Sequence, residues 1–286
     1  MTKNKLCQIN IDKLEITYLL THDIAEIING KDEIIEYYDF RLEKDKDNKE
    51  YAVCYNIIIE TLNGSNGYNE ALFGKISYGT YNPYRNQLYI GIDNKMLYED
   101  DLLIGAIQII EQTLHLEFMA LSKLDFALDV EKDIIKVFYN LIKRDDIIPI
   151  ILNKKIKDKD EEINELLHMA TGTRRTPYLH KSFYIDNKEG GLTLACYDKT
   201  KEIIDNGNKK DYIIKKDGFE KIYRLEIRTI RHTLKDTLNK LSISEEELYR
   251  RLFDKDFLMN IYFALLDRLI RINQGNKTYN LLQFLL

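Results

Sequence analysis

The feature that most constrains this chain is a series of short segments rich in β-branched and aromatic residues, separated by polar breaks. The first three are residues 6–19, 33–42 and 51–62. Segments of this length and composition are typical of β-strands, and the run Lys44-Asp45-Lys46-Asp47-Asn48 between two of them is typical of a connecting turn. The amino-terminal part is therefore predicted to be built from β-strands.

Turn residues join the later strand-like segments into hairpins. Residues 72–81 and 87–93 flank a stretch that contains Asn82-Pro83, and residues 181–187 and 191–199 flank Lys188-Glu189-Gly190. Helical patterns follow from Asp100 and over 132–144, but strands and helices do not alternate regularly. Recurring hairpins without that alternation predict an α+β fold with a largely antiparallel central sheet and flanking helices.

The carboxyl-terminal part changes character. Ser244 and Glu247 have the spacing of a capping box, and apolar residues from Phe257 to Ile272 recur at helical spacing. This pattern predicts two domains. One is an α+β domain over residues 1–235, with the amino-terminal strands and an exposed, charge-rich insertion near 153–178, and the other is a helical module over 236–286.

Charge and hydropathy exclude several classes of protein. The 286 residues carry 42 Lys and Arg against 47 Asp and Glu, a net charge of −5, which argues against nonspecific coating of nucleic acid. Residues 171–231 are nevertheless basic, with 14 Lys and Arg against 9 Asp and Glu, and this region is the best candidate for an anionic partner. No apolar run approaches the roughly 18 residues of a membrane span, no secretory signal is visible, and the three cysteines lack metal-site spacing. We therefore expect a cytoplasmic protein with reduced thiols and no membrane partner.

Two carboxylates lie within the apolar segment 121–130. Asp125 and Asp129 are four residues apart, so a strand directs both to one face together with Ala127. Such a pair is costly to bury without a cation, and the small alanine leaves space for a metal ion. Solvation, or pairing of either aspartate with Arg or Lys, is the structural alternative.

A second polar strand face comes from residues 223–228. Arg224, Glu226 and Arg228 alternate with apolar residues, so all three share a face. If this face adjoins the aspartates, Glu226 supplies a third oxygen ligand and the arginines bind phosphate oxygens. An exposed sheet face with cross-strand ion pairs is the structural alternative.

A tyrosine stands at the polar end of the second hairpin. Thr193, Ala195, Tyr197 and Lys199 share one strand face by alternation. A phenol with a pKa of about 10 is protonated at neutral pH, so a nucleophilic tyrosine needs a neighbouring cation, metal or base. Lys199 is one source of that help, although most tyrosines in a chain with 20 of them serve packing.

The segments LDFALDV, ACYDKTKEI and YRLEIR occur in an order that resembles the replication initiation factor (Rep-trans) family of rolling-circle plasmids, which is related to relaxases and similar to filamentous-phage replication proteins. The resemblance covers residues 72–231. It implies an enzyme that nicks one DNA strand through a tyrosine, leaving a 5′-phosphotyrosyl link and a free 3′-OH primer, with Mg²⁺ or Mn²⁺ as cofactor.

The resemblance also implies roles for individual residues. Tyr197 would be the nucleophile, Asp125 and Glu226 metal ligands with Asp129 as an additional ligand, and Lys199 a partner of the phosphate or the tyrosine. These roles rest on the match of the three segments.

The sequence departs from the family pattern at one position. The family often carries a basic residue two positions before the tyrosine, where this chain has Ala195, so phosphate binding is expected from Arg224 or Arg228. Tyr184 and Tyr223 remain alternative nucleophiles. The five histidines form no His-x-His pair, so the two-histidine metal site of the other large rolling-circle class is absent.

The resemblance implies origin DNA as the partner, single-stranded or in a cruciform at the nick. Tyr84 and Arg85, in the turn of the first hairpin, are candidates for stacking on unpaired bases. A host helicase and a second copy of this chain are further candidate partners.

Other functions share parts of this pattern. A relaxase for conjugative transfer would use the same chemistry. A two-metal nucleotidyl-transfer enzyme would use the three acidic residues without a covalent tyrosine. A noncatalytic DNA-binding regulator would bind DNA without cleaving it, but carboxylates on its DNA face would repel phosphate.

Overall fold

The computed structural model describes residues 7–19, 32–48, 51, 53–63, 67–78, 87–98, 100–156, 168–171, 180–187 and 189–286. The fold is α+β with a largely antiparallel sheet and with helices concentrated toward the carboxyl-terminal part, as predicted. No helix in these residues is long and apolar enough to cross a membrane.

The strands within the described residues are β1 (Cys7–Leu19), β2 (Ile34–Glu36), β3 (Phe40–Lys44), β4 (Val53–Asn63), β5 (Gly67–Tyr78), β6 (Gln87–Ile92), β7 (Glu117–Val130), β8 (Ile147–Ile151), β9 (Lys154–Lys155), β10 (His168–Thr171), β11 (His180–Asn187), β12 (Leu192–Asp198), β13 (Tyr223–Ile230), β14 (Ile270–Gln274) and β15 (Lys277–Asn280). The helices are α1 (Asp100–Thr113), α2 (Ile134–Ile142), α3 (Lys199–Asp205), α4 (Asp211–Asp217), α5 (Arg231–Lys240), α6 (Glu245–Arg250), α7 (Lys255–Leu269) and α8 (Leu282–Leu285), with a 3₁₀ turn at Met96–Tyr98.

The chain divides into two compact units. Unit 1 consists of Met1–Ile11 and Asp125–Leu286, and unit 2 of Asp12–Leu124. The domain boundary predicted near residue 235 falls inside α5, within unit 1, so it does not coincide with the division between the two units. It stays a prediction from sequence.

Unit 2 is an antiparallel sheet with α1, in which β2 to β6 form a meander and β1 pairs with β6. Its strands are hydrogen-bonded in the order β1-β6-β5-β4-β3-β2. The predicted hairpin of β5 and β6 is confirmed, with Ile76 opposite Ile90, and its turn lies outside the described residues. The helical spacing of α1 is also confirmed, because Leu103, Ile107 and Ile110 are all buried.

One strand prediction for unit 2 was wrong. Residues 33–42 were expected to form one strand, but they form the hairpin of β2 and β3. The chain turns between them, where the Tyr37 amide donates to the Phe40 carbonyl at 2.9 Å and the two rings stack at 4.6 Å. Tyr38 and Asp39 at the tip do not continue a buried face, since Tyr38 is 98% exposed.

The backbones of β5 and β6 approach each other closely at Gly74 and Gly91 in unit 2. A β-carbon at Gly74 would collide with the carbonyl oxygen of Gly91 on the neighbouring strand, whereas a β-carbon at Gly91 meets nothing within 4 Å. Because backbone cannot move aside as a flexible side chain can, we expect Gly74→Ala to lower the free energy of unfolding by about 1–3 kcal/mol. Gly91→Ala is the matched control and should be close to neutral in urea denaturation. Equal effects of the two changes would contradict the packing described.

Unit 1 contains the strands that position the candidate site. They are hydrogen-bonded in the order β10-β11-β12-β13-β7. The predicted hairpin of β11 and β12 is confirmed, and β13 lies beside β12 in antiparallel register. Along β13 the apolar residues Leu225 and Ile227 are fully buried, and the Tyr262 hydroxyl of α7 donates to the Leu225 carbonyl at 3.1 Å. The apolar face of β13 is thereby directed toward the helical layer.

The carboxyl-terminal helices are only partly as predicted. The Ser244 hydroxyl accepts from the Glu247 amide at 3.0 Å and begins α6, which confirms the predicted cap. Helix α7 ends at Leu269, however, and β14 and β15 form a hairpin in the sheet β15-β14-β8-β9. Helical spacing misled the prediction because Ile270 and Ile272 continue the apolar pattern as buried strand residues. Gly275, with φ of 59°, makes the turn and was the overlooked signal.

Part of the predicted insertion near 153–178 lies outside the described residues, namely 157–167 and 172–178. Strand β10, which lies within the insertion, pairs with β11 in antiparallel register.

Candidate functional site

The polar residues singled out on β12 and β13 share one face of the unit 1 sheet. In the register of β12 with β13, Ala195 lies opposite Glu226 and Tyr197 lies opposite Arg224. Residues directly opposite in a ladder lie on the same face, so the strand alternation predicted from sequence brings these side chains together.

Tyr197 and Glu226 form the centre of this face. The Tyr197 hydroxyl donates to Glu226 Oε2 at 2.6 Å, a length typical of a hydrogen bond to an ionised carboxylate. Glu226 itself is only 3% exposed, while Tyr197 is half-buried. A buried carboxylate thus accepts the hydrogen bond of the phenol and fixes the orientation of its hydroxyl group.

Arg228 completes a chain of three groups. Its Nε donates to Glu226 Oε1 at 2.6 Å, and its side chain remains 55% exposed. Burial tends to lower the pKa of Arg228, but the hydrogen bond to Glu226 and the charges of Glu226, Tyr197 and Asp125 outweigh it and raise the pKa above its usual value. The guanidinium is therefore a permanent cation beside the phenol, with an exposed side that an anion can reach.

Arg224 and Asp129 form a second, fully buried ion pair. Arg224 Nε and Nη2 donate to the two carboxylate oxygens of Asp129, each at 2.7 Å, and both side chains are 0% exposed. This geometry does not support the expectation that Arg224 contacts DNA, because no part of its side chain reaches the surface. It corresponds instead to the alternative in which an aspartate of β7 pairs with an arginine.

The expected carboxylate cage does not fit a metal ion in this arrangement. Asp125 lies close enough to act on the charge of Arg228, while Asp129 is engaged by Arg224 through both oxygens. Both oxygens of Glu226 also accept hydrogen bonds from protein groups. Within the described residues, no group of three His, Cys, Asp or Glu side chains is placed to hold a metal. Asp125, Asp129 and Glu226 therefore form no metal site as they are placed, and their role as ligands stays a prediction from sequence.

Lys199 is buried near the ring of Tyr197. It is 2% exposed, and its Nζ is 5.7 Å from the centroid of the Tyr197 ring and 2.7 Å from Glu202 Oε2. Lys199 was predicted to share the strand face of Tyr197, but this was wrong, because β12 ends at Asp198. Lys199 is instead the first residue of α3, which is capped by Asp198 through the Lys201 amide. Its charge thus lies near the phenol but is shared with a carboxylate on the same helix.

The two alternative tyrosines differ in position. Tyr223 is 8% exposed, and burial raises its pKa, which opposes formation of a nucleophilic phenolate. Tyr184 is on β11 opposite Ala195 and is 36% exposed. It therefore shares the face of Tyr197, but Glu226 receives its hydrogen bond from Tyr197.

A comparison with solved structures finds a likeness to a rolling circle replication initiator protein from Geobacillus stearothermophilus. The identity is 12% and the TM-score 0.46, over 95% of this chain and 89% of that chain. No protein-family model and no curated protein matches this chain. At this identity and TM-score the likeness says nothing about individual residues, and the chemistry rests on the geometry above.

A pocket of about 360 Å³ adjoins Tyr197 in unit 1. Its sheet wall includes Ser182, Tyr184 and Arg228, and its helix wall is formed by α3. The sequence interpretation missed this pocket. The signal was present, because Asp198, Glu202 and Asp205 have the spacing of one helix face.

Tyr84 and Arg85, the predicted base-stacking residues, lie outside the described residues. Their role remains a prediction from sequence.

Proposed function

We propose that this protein initiates rolling-circle replication of plasmid, phage or mobile-element DNA by nicking one strand with Tyr197. The observation that carries this proposal is the 2.6 Å hydrogen bond from the Tyr197 hydroxyl to the buried Glu226, on a sheet face where Arg228 is exposed. Nucleophile, proton acceptor and anion-binding cation lie next to one another, as tyrosine transesterification requires. Two of the three sequence segments that resemble the Rep-trans family, ACYDKTKEI and YRLEIR, contain these residues.

In the proposed reaction, the Tyr197 oxygen attacks the scissile phosphorus and the bond from phosphorus to the 3′ oxygen breaks. The phenolic proton passes to Glu226, and the departing 3′ oxygen takes a proton from water. Arg228 binds a nonbridging oxygen and stabilises the charge that builds there. The products are a 5′-phosphotyrosyl link and a free 3′-OH, and the reverse attack by a 3′-OH reseals the strand without ATP.

Origin DNA, single-stranded or extruded as a cruciform, is the proposed substrate, because a phosphate in an unpaired strand reaches an open sheet face more readily than one in a duplex. A relaxase would use the same residues in the same way. A dependence on Mg²⁺ or Mn²⁺ would require Asp129 and Glu226 to exchange protein partners for the ion, or other ligands to replace them, since both are engaged by protein groups.

Covalent capture tests the function. The full chain is incubated with a pool of random single-stranded oligonucleotides labelled at the 3′ end, in parallel with Mg²⁺, Mn²⁺ or EDTA. We expect labelled protein that survives boiling in detergent and is destroyed by protease. DNA that binds without any covalent label would favour the noncatalytic regulator, and cleavage without label would favour the two-metal enzyme.

Glu226→Gln provides a prediction for the proton acceptor. Glutamine keeps the size of the side chain and can still accept from the phenol, but it cannot take up the proton. We expect the rate of covalent labelling to fall by roughly 10²- to 10⁴-fold, the range typical of general-base catalysis. Glu220→Gln, at an exposed carboxylate in the same unit, is the matched control and should leave the rate unchanged. A Glu226→Gln rate within threefold of the wild-type rate would contradict the assigned role.

A further inference from the structure

The pocket beside Tyr197 has two chemically different walls. Tyr184 on the sheet side is 36% exposed and lies diagonally across the ladder from Tyr197, since Tyr184 is opposite Ala195 and Ser182 is opposite Tyr197. An aromatic ring at this position offers a flat apolar surface within the reach of a molecule bound at the Tyr197 hydroxyl.

The opposite wall carries three carboxylates, each paired with a lysine. Asp198, Glu202 and Asp205 of the α3 region line the pocket. Their partners are Lys221, Lys199 and Lys201, at 3.1, 2.7 and 3.1 Å respectively. Each carboxylate oxygen has more than one acceptor site, so these groups can accept further hydrogen bonds from a ligand.

This combination selects the kind of ligand. The exposed ring of Tyr184, facing carboxylate oxygens that retain acceptor sites, favours a planar group that carries N–H donors on its edge. Nucleobases with exocyclic amino groups have this property, whereas thymine lacks an amino group. The volume of about 360 Å³ lies at the lower end of the range of about 300–1,000 Å³ for small-molecule pockets.

We propose that this pocket binds the base of a nucleotide adjacent to the scissile phosphate, with Tyr184 as the stacking surface and the carboxylates of α3 as acceptors for its amino group. The inference rests on the proposed function, which requires a DNA strand at Tyr197. It adds a preference for cytosine, adenine or guanine over thymine at one position next to the nick. The small side chain of Ala195 opposite Tyr184 leaves the stacking surface open toward Glu226.

Equilibrium binding tests the pocket without any need for cleavage. Fluorescence anisotropy of labelled dC₁₀, dA₁₀ and dT₁₀ is measured with the full chain. We expect dC₁₀ and dA₁₀ to bind about tenfold more tightly than dT₁₀. Tyr184→Ala should weaken binding of dC₁₀ by about five- to 100-fold, the range of one lost stacking contact, whereas Tyr184→Phe should retain it.

Two further variants separate stacking from edge recognition. Glu202→Gln combined with Asp205→Asn should narrow the preference for dC₁₀ over dT₁₀ without the general loss expected of Tyr184→Ala. Tyr38→Ala, which removes a 98% exposed tyrosine in unit 2, is the control for nonspecific effects of losing an aromatic side chain. Circular dichroism of each variant verifies that it is folded.

The outcomes distinguish this inference from the proposed function. Equal affinities for the three oligonucleotides, or an unchanged affinity in folded Tyr184→Ala, would overturn the base pocket even if covalent labelling through Tyr197 is observed. The predicted base preference without covalent labelling would support the pocket and overturn the nicking function.

Discussion

Replacing Tyr197 by Phe is expected to abolish covalent attachment to DNA, with a loss of at least about 1,000-fold in the rate of labelling. Phenylalanine keeps the ring and its packing but removes the only atom that attacks phosphorus in the proposed reaction, and no other group substitutes for a lost nucleophile. The affinity for single-stranded DNA should change little, because Arg228 and the sheet face remain. Labelling is followed by denaturing electrophoresis, and affinity by anisotropy.

Two matched variants make this result specific. Tyr184→Phe alters a half-exposed tyrosine on the same sheet face, and Tyr223→Phe alters a buried one on the next strand. Both should retain labelling within a few-fold of the wild-type rate. If Tyr197→Phe labels normally and one of these variants does not, the nucleophile is misassigned although the chemistry stands.

Breaking the buried ion pair of Arg224 with Asp129 is expected to lower the stability of the fold strongly. Arg224→Met is expected to lower the free energy of unfolding by about 3–5 kcal/mol, because it leaves the fully buried carboxylate of Asp129 without its bidentate partner. Arg144→Met is the matched control in the same unit. Arg144 pairs with Asp146 through side chains that are 50% and 51% exposed, and surface pairs of this kind contribute little to the free energy of unfolding. Urea denaturation with unchanged m-values measures both.

A double variant tests whether the loss comes from an unpaired charge. Arg224→Met combined with Asp129→Leu removes both charges, so it should recover most of the stability lost by Arg224→Met alone. A double variant no more stable than Arg224→Met would show that packing of the arginine, and not its pairing with Asp129, accounts for the loss.

The sequence predicted which residues share a face of β12 and of β13. It did not predict which residues of the two strands contact each other. Alternation alone indicated that Arg224, Glu226 and Arg228 share a face and that Tyr197 shares a face with Ala195, and the ladder of β12 with β13 agrees. The link from Tyr197 to Glu226 depends on which residue lies opposite which. That register is set by the turns and the neighbouring strands rather than by the pattern of either segment.

The pairing of Asp129 with Arg224 shows the same limit more sharply. The two residues are 95 positions apart, and each was a plausible ligand for an ion or a phosphate when considered alone. Only their contact in space shows that each satisfies the other. The site was therefore predictable as a set of candidate residues, whereas the division into a reactive group and a structural pair was not.

Whether Tyr197 is the nucleophile is decided by mapping the residue that carries DNA. The covalent complex is treated with nuclease and trypsin, and the peptide bearing a nucleotide is identified by mass spectrometry. The sequence suits this experiment, since cleavage after Lys188, Lys199, Lys221 and Arg224 leaves Tyr184, Tyr197 and Tyr223 on three separate peptides. We expect the nucleotide on peptide 189–199, linked to Tyr197 through a 5′ phosphate. A nucleotide on the peptide of Tyr184 or Tyr223, or on none of the three, would contradict the assignment of Tyr197 as the nucleophile.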